Sequence, residues 1–127
     1  MTALVLDAGA LIAVERADRR VWALLAEARE RGAELIVPAT VLAQVWRGGP
    51  GAARVATLLE ACATDTLDED RAKQLGVRLG AAGTSDVADA HVACCALARD
   101  AAVATSDAGD IAAIAASAAR QLTLIDL

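Results

Sequence analysis

Aromatic side chains are almost missing from this chain. It has no Phe and no Tyr, and Trp22 and Trp46 are the whole set. That excludes recognition by several stacked bases, which an RNA-recognition sheet or a single-strand platform needs. Positive charge is also short: 12 basic residues face 17 acidic ones, for a net charge of −5. Non-specific electrostatic binding to nucleic acid is therefore not its main business, although carboxylates concentrated around a metal would still permit a nuclease. Cys62, Cys94 and Cys95 are an odd number with two adjacent, which makes neither a disulfide framework nor a CxxC zinc pattern. No apolar run reaches a membrane span, because Asp7, Glu15 and Asp18 interrupt the first one. The opening residues lack the charged and apolar regions of a secretory leader. A soluble protein of a reducing cytoplasm is expected.

What is plentiful is small and aliphatic. The 127 residues include 34 alanines, so the expected core is close-packed helices around a few aliphatic strands. That length corresponds to one domain, taken as 1–127, and no repeat or linker breaks it. Ala3–Leu6, Leu35–Val37, Ala102–Ala104 and Leu122–Ile125 are short aliphatic runs bounded by polar or turn residues, which suits buried parallel strands. A weaker strand is expected over Thr64–Leu67. Helical spacing follows Asp18, an expected N-cap, through Val21, Leu24, Leu25 and Ala28. Further helices are expected over Thr40–Arg47, Ala52–Ala61, Glu69–Leu79, Ser85–Ala98 and Asp107–Ala119, with Gly48-Gly49-Pro50-Gly51 as the clear breaker. Alternating strands and helices imply an α/β sandwich around a parallel sheet.

In such a sheet, ligands sit at the carboxyl ends of strands. Asp7 lies just past the first strand and Asp107 just past the Ala102–Ala104 strand. Asp86 and Asp89 are three apart near a helix start, as are Asp107 and Asp110, so each pair shares a face. Converging carboxylates repel unless a cation neutralises them, and hard oxygen donors suit Mg²⁺ or Mn²⁺. Such ions activate water and stabilise charge in phosphodiester hydrolysis. Blander roles stand beside these: Asp107 as an N-cap completed by Asp110, and Asp86 as an acid at the positive end of its helix. Asp89 lies a turn deeper and is harder to explain as a cap. His91 is the lone histidine, which fits packing or surface better than catalysis. Cys94-Cys95, amid Val92, Ala93, Ala96 and Leu97, reads as helix core.

Leu4-Val5-Leu6-Asp7-Ala8-Gly9-Ala10-Leu11-Ile12-Ala13, followed by Val37-Pro38-Ala39-Thr40-Val41-Leu42-Ala43-Gln44-Val45-Trp46, resembles the opening of a PIN domain. Ser85-Asp86-Val87-Ala88-Asp89-Ala90-His91-Val92-Ala93 and Val103-Ala104-Thr105-Ser106-Asp107 resemble its later acidic motifs. Length, motif order and spacing are similar to single-domain VapC-type toxins across essentially the whole chain. The resemblance implies a PIN-like three-layer sandwich, with a central parallel sheet of about five strands between helices. It implies a metal-dependent endoribonuclease, the toxin of a type II toxin–antitoxin pair, acting on RNA and blocked by a small antitoxin. Asp7, Asp89 and Asp107 would bind Mg²⁺ or Mn²⁺, with Asp86, Asp110 and Thr105 in support. It also implies a homodimer, and the early helices, Leu11–Ala28 and Ala52–Leu59, are expected to form a partner groove.

One position departs from the family pattern: Gln44 stands where the second motif normally supplies glutamate. An amide keeps a ligating oxygen but loses a charge, so the alternative is a catalytically weakened PIN fold serving as a binding or oligomerisation module. Arg47 and Arg54 are candidates for contacts to RNA phosphates. A phosphatase of the haloacid dehalogenase type needs a second acid where Gly9 stands and a lysine, and Lys73 lies in a polar helix. A receiver-like domain fails similarly.

Overall fold

The computed structural model describes residues 2–127. Five strands form one sheet: β1 (Ala3–Leu6), β2 (Glu34–Pro38), β3 (Cys62–Asp65), β4 (Ala102–Thr105) and β5 (Leu124–Asp126). The spatial order is β3-β2-β1-β4-β5, and every neighbouring pair is parallel. Seven helices among the described residues flank it: α1 (Ala8–Glu15), α2 (Arg19–Glu30), α3 (Ala39–Val45), α4 (Ala52–Leu59), α5 (Glu69–Ala82), α6 (Val87–Arg99) and α7 (Ala108–Ala116).

All four residues of β1 and all four of β4 are buried, although alternate side chains of a strand point to opposite faces. Both faces of the central sheet are therefore covered, the condition under which short unbroken aliphatic runs are stable as strands. Several helix starts have a local cause. Asp18 accepts from Arg20 N and Val21 N at 2.9 and 3.2 Å to begin α2, as the sequence predicts. Asp68 does the same for α5 through Arg71 N at 2.8 Å. Chain order reverses where β1 meets β4, and a parallel sheet opens its ligand crevice at the carboxyl ends of such strands.

Several expected boundaries shift. The third strand is Cys62–Asp65, two residues earlier than the expected Thr64–Leu67, because pairing with Leu35–Pro38 ends at Asp65. That acid turns inward and is 5% exposed. The early apolar stretch divides into α1 and α2 at Ala17, whose φ is +58°. The last strand begins at Leu124 rather than Leu122. Along α2, Arg19, Arg20 and Glu27 are exposed beside exposed Ala23 and Ala26 and half-buried Trp22 and Leu24. The large apolar side chains most exposed around the early helices are Ile12 on α1 and Trp46 after α3. Among the described residues, no helix is long and apolar enough to cross a membrane.

Candidate metal centre

Asp7 sits where β1 becomes α1. Its N–H donates to Ala104 O at 3.0 Å, so the ladder to β4 carries the residue into the crevice. Its carboxylate does two further things. One oxygen accepts from Ala8 N at 2.7 Å and caps α1, while the other accepts from Thr105 Oγ1 at 2.6 Å. Thr105 is fully buried, and its hydroxyl oxygen also accepts from Asp107 N at 2.8 Å. One hydroxyl thus ties the acid of β1 to the loop that carries the acid after β4.

Asp107 occupies the N-cap position of α7 but makes no capping bond with its side chain. The capping role is therefore vacated, and the exposed carboxylate is free to face its neighbours. On α6, Asp86 is the residue that caps, accepting from Asp89 N at 2.9 Å. Asp89 is left a turn deeper and 8% exposed. One carboxylate oxygen each from Asp7, Asp89 and Asp107 lies within 4.8 Å of the other two, the span of ligands around a single ion.

The approach depends on Gly9. A Cβ there would fall on Ser106 Oγ and lie 3.0 Å from Ser106 Cβ, so any larger residue would displace the Ser106 side chain from the loop before Asp107. Sequence patterning did not single out Gly9. Its signal is a glycine in the first turn of an otherwise apolar helix.

The electrostatics are those of an uncompensated anionic cluster. Burial pushes the Asp89 carboxyl up to about 7, and Asp86, Asp7, Asp107 and Asp110 push the same way. Burial also raises Asp7, against the bonds from Thr105 and Ala8 and with the repulsion of Asp107 and Asp86. A hard divalent cation answers both problems, since it supplies the missing charge and prefers carboxylate oxygens.

Around this centre, Asp86 and Asp110 join Asp89 in lining a cavity of about 180 Å³ that also touches Thr84. Gln44 lies exposed on α3, and α3 packs against both α1 and α6, the helices that begin at Asp7 and carry Asp89. Arg47 and Arg54 are exposed. Arg47 gives Nη1 to Ala43 O and Trp46 O at 3.1 and 2.9 Å, and Arg54 gives Nη1 to Glu15 O at 3.0 Å. Each closes a helix end and keeps its remaining guanidinium donors. His91 is fully buried, as its packing role requires, but it is bonded on both ring nitrogens, and one partner is Asp65, which sequence reasoning missed.

No protein-family model matches the chain, and no curated protein matches it in sequence. Solved structures do match. A chain of VapBC2 from Rickettsia felis, in a crystal structure bound to a DNA fragment from their promoter, superposes with a TM-score of 0.71 at 13% identity, covering 99% of both chains. The chain has a PIN-like fold. A chain of FitAB bound to an IR36 DNA fragment gives 0.69 at 18% identity, over 97% of this chain and 94% of that one. VapBC-1 from nontypeable Haemophilus influenzae gives 0.67 at 17%, over 98% of both. At such identities the likeness is one of fold. In this PIN-like fold Asp7 and Asp107 follow the two strands that flank the reversal of chain order, and the sheet itself brings them together.

Proposed function

We propose that the chain is a metal-dependent endoribonuclease that hydrolyses RNA phosphodiester bonds, and the toxin half of a type II toxin–antitoxin pair in the cytoplasm. The observation that carries it is the convergence of Asp7, Asp89 and Asp107 within 4.8 Å at the crevice of the sheet. The similarity in fold to chains of VapBC and FitAB complexes supports the pairing with an antitoxin. Asp7, Asp89 and Asp107 hold Mg²⁺ or Mn²⁺. When bound, the ion lowers the pKa of water and offsets charge on the reacting phosphate. Thr105 orients the Asp7 carboxylate, Asp86 presents Asp89 by capping α6, and Gln44 and Asp110 complete the rim. The free donors of Arg47 and Arg54 hold RNA phosphates at the edge of the crevice.

The same reading includes a homodimer. Val77 stands 62% exposed on α5, beside an apolar cavity of about 460 Å³ lined in part by Cys94, Leu97, Ala98 and Ala118. Arg78 Nη1 is buried there without a hydrogen-bond partner. Two copies packed antiparallel along α5 would cover Val77 and this apolar surface on both. Light scattering should give the mass of a dimer, and Val77→Glu that of a monomer; a wild-type protein of monomer mass at all concentrations rejects the dimer.

Gln44 supports a second reading, a PIN-like fold whose weakened centre only binds partners. Cleavage of RNA across a Mg²⁺ and Mn²⁺ titration separates the two. One further carboxylate about 4 Å from the divalent ion adds a gross attraction of roughly 8 kcal/mol at an effective dielectric of about 20. Much of that is offset by desolvation and by repulsion from the existing acids. Gln44→Glu should therefore lower the metal concentration needed for half-maximal cleavage by about tenfold, where each 1.4 kcal/mol is a factor of ten. If wild type cleaves nothing at any metal concentration while Gln44→Glu cleaves, the enzyme reading of this chain fails and the binding module takes its place.

A further inference from the structure

One exposed aromatic side chain has no part in the chemistry proposed above. Trp46 follows α3 and is 42% exposed, whereas Trp22 packs half-buried against the core. The Trp46 N–H donates to Leu42 O at 2.8 Å, which fixes the residue at the end of the helix. The chain then runs through Gly48-Gly49-Pro50-Gly51 into α4. Trp46, Arg47, Pro50 and Gly51 share a cavity of about 100 Å³ with Glu15, the last residue of α1. Gly51 lays the loop on Glu15: a Cβ there would fall on Glu15 Cγ and lie 3.0 Å from Glu15 Cδ.

Three kinds of recognition meet at this cavity. Trp46 offers an aromatic ring. Two tryptophans in the whole chain make no platform for several bases, but one ring holds one base. Arg47 and Arg54 each commit Nη1 to backbone carbonyls, Arg47 to Ala43 O and Trp46 O and Arg54 to Glu15 O. Their remaining donors suit a phosphate. Arg54 takes up the backbone oxygen of Glu15, and among the described residues no hydrogen bond or ion pair reaches the half-buried Glu15 carboxylate. That group has two acceptor oxygens and no donor.

Two cations against one anion favour an anionic ligand, which must also carry an aromatic ring and N–H donors. A nucleotide has all three, whereas a basic peptide would meet the two arginines as like charges. Guanine presents two adjacent donors, N1–H and N2–H, on its Watson–Crick edge, and they match both oxygens of one carboxylate; uracil presents a single N–H between carbonyls. The helix that ends at Glu15 begins just after Asp7 and has eight residues, a length of about 12 Å. At about 3.4 Å or more per nucleotide, that span is a few nucleotides of RNA.

We infer that this cavity is a subsite for one unpaired guanine of a single-stranded RNA, stacked on Trp46, read by Glu15 and held through phosphate by Arg47 and Arg54. This rests on the reading that RNA is the substrate, so binding is measured apart from cleavage, in metal-free buffer with the full chain. The probes are the RNA pentanucleotides UUGUU and UUUUU, followed by fluorescence anisotropy and by the indole N–H resonances of the two tryptophans. UUGUU should bind about tenfold more tightly than UUUUU and move the Trp46 resonance while leaving that of Trp22 in place. Trp46→Ala should weaken UUGUU by about tenfold. Glu15→Gln turns one acceptor into a donor, and should bring UUGUU to within about twofold of UUUUU without weakening UUUUU. Arg47→Ala should weaken both alike and lower the salt dependence. Equal affinities in wild type, a Trp46 resonance unmoved by UUGUU, or a guanine preference that survives Glu15→Gln each overturn the inference. A hexa-arginine peptide that moves the Trp46 resonance where UUGUU does not would assign the face to a protein partner, and also overturns it. If Trp46→Ala does not fold, the wild-type comparison and Glu15→Gln decide. Cleavage with Mg²⁺ is scored separately: cleavage without guanine preference removes the subsite and leaves the nuclease, while guanine preference without cleavage removes the nuclease and leaves the subsite.

Discussion

Replacing Asp7 by asparagine should abolish RNA cleavage while leaving the fold intact. The residue is the most constrained member of the cluster, with one oxygen capping α1 through Ala8 and the other held by Thr105. Asparagine keeps an amide oxygen for one of those bonds but removes one of three charges from the cluster. Loss of an outer partner of a metal ligand already costs about 10–100-fold. Loss of a ligand charge should leave less than about one-hundredth of wild-type activity, in steady-state cleavage of a labelled RNA at fixed Mg²⁺. The metal-free protein should not be destabilised, since burial and the acids around it already disfavour the charged form of Asp7. Thermal unfolding without metal checks this second half. Cleavage retained within tenfold by Asp7→Asn would remove Asp7 from the proposed centre.

The second large effect concerns Asp89 and pH. Its carboxyl is pushed up to about 7 in the fold, from an ordinary value of 3.8. Below pH 3.8 the group is protonated in both the folded and the unfolded chain and costs nothing. Between these values the unfolded chain ionises first, so folding loses stability as pH rises, and the loss levels off above pH 7. A shift of this size corresponds to a penalty on the order of 2–4 kcal/mol. Asp89→Asn removes it. Without metal, the variant should unfold like wild type near pH 4 and exceed it in stability by that amount at pH 8, as read from denaturant melts. Comparing variant with wild type matters because His91 slopes the other way: it is buried neutral, so it costs stability as pH falls below 6.5. Mg²⁺ should close the gap at pH 8 by stabilising wild type alone, since a ligand that binds only the folded state adds to its stability. A gap that is the same at pH 4 and pH 8 would show that the carboxylate of Asp89 does not carry this charge penalty.

Much of the fold is legible in the sequence because each central strand is buried on both sides. Ala3–Leu6 and Ala102–Ala104 need no polar alternation, so the runs stand out and the acids that end them point to the crevice. The edge strand β3 is less legible. It is only partly buried and carries Thr64 and Asp65, so its bounds come from pairing with Leu35–Pro38 rather than from its own pattern. The inward turn of Asp65 follows from that register and from arginines six and thirty-four residues away.

The residue types and their spacing by themselves determined the α/β class, the parallel sheet, the strand-end acids Asp7 and Asp107 and the paired acids of α6, because hydrophobic periodicity and helix capping act over a few residues. Other features only the tertiary structure decided. Asp107 gives up its capping role, Thr105 joins two acids, Gly9 admits the Ser106 loop, and the lone histidine becomes the middle of a chain from Thr40 to Asp65. These depend on which strands neighbour one another and on the register that brings residue 7 beside residue 104. Contacts across such separations are selected by the packing of the whole core, and local pattern carries no record of them.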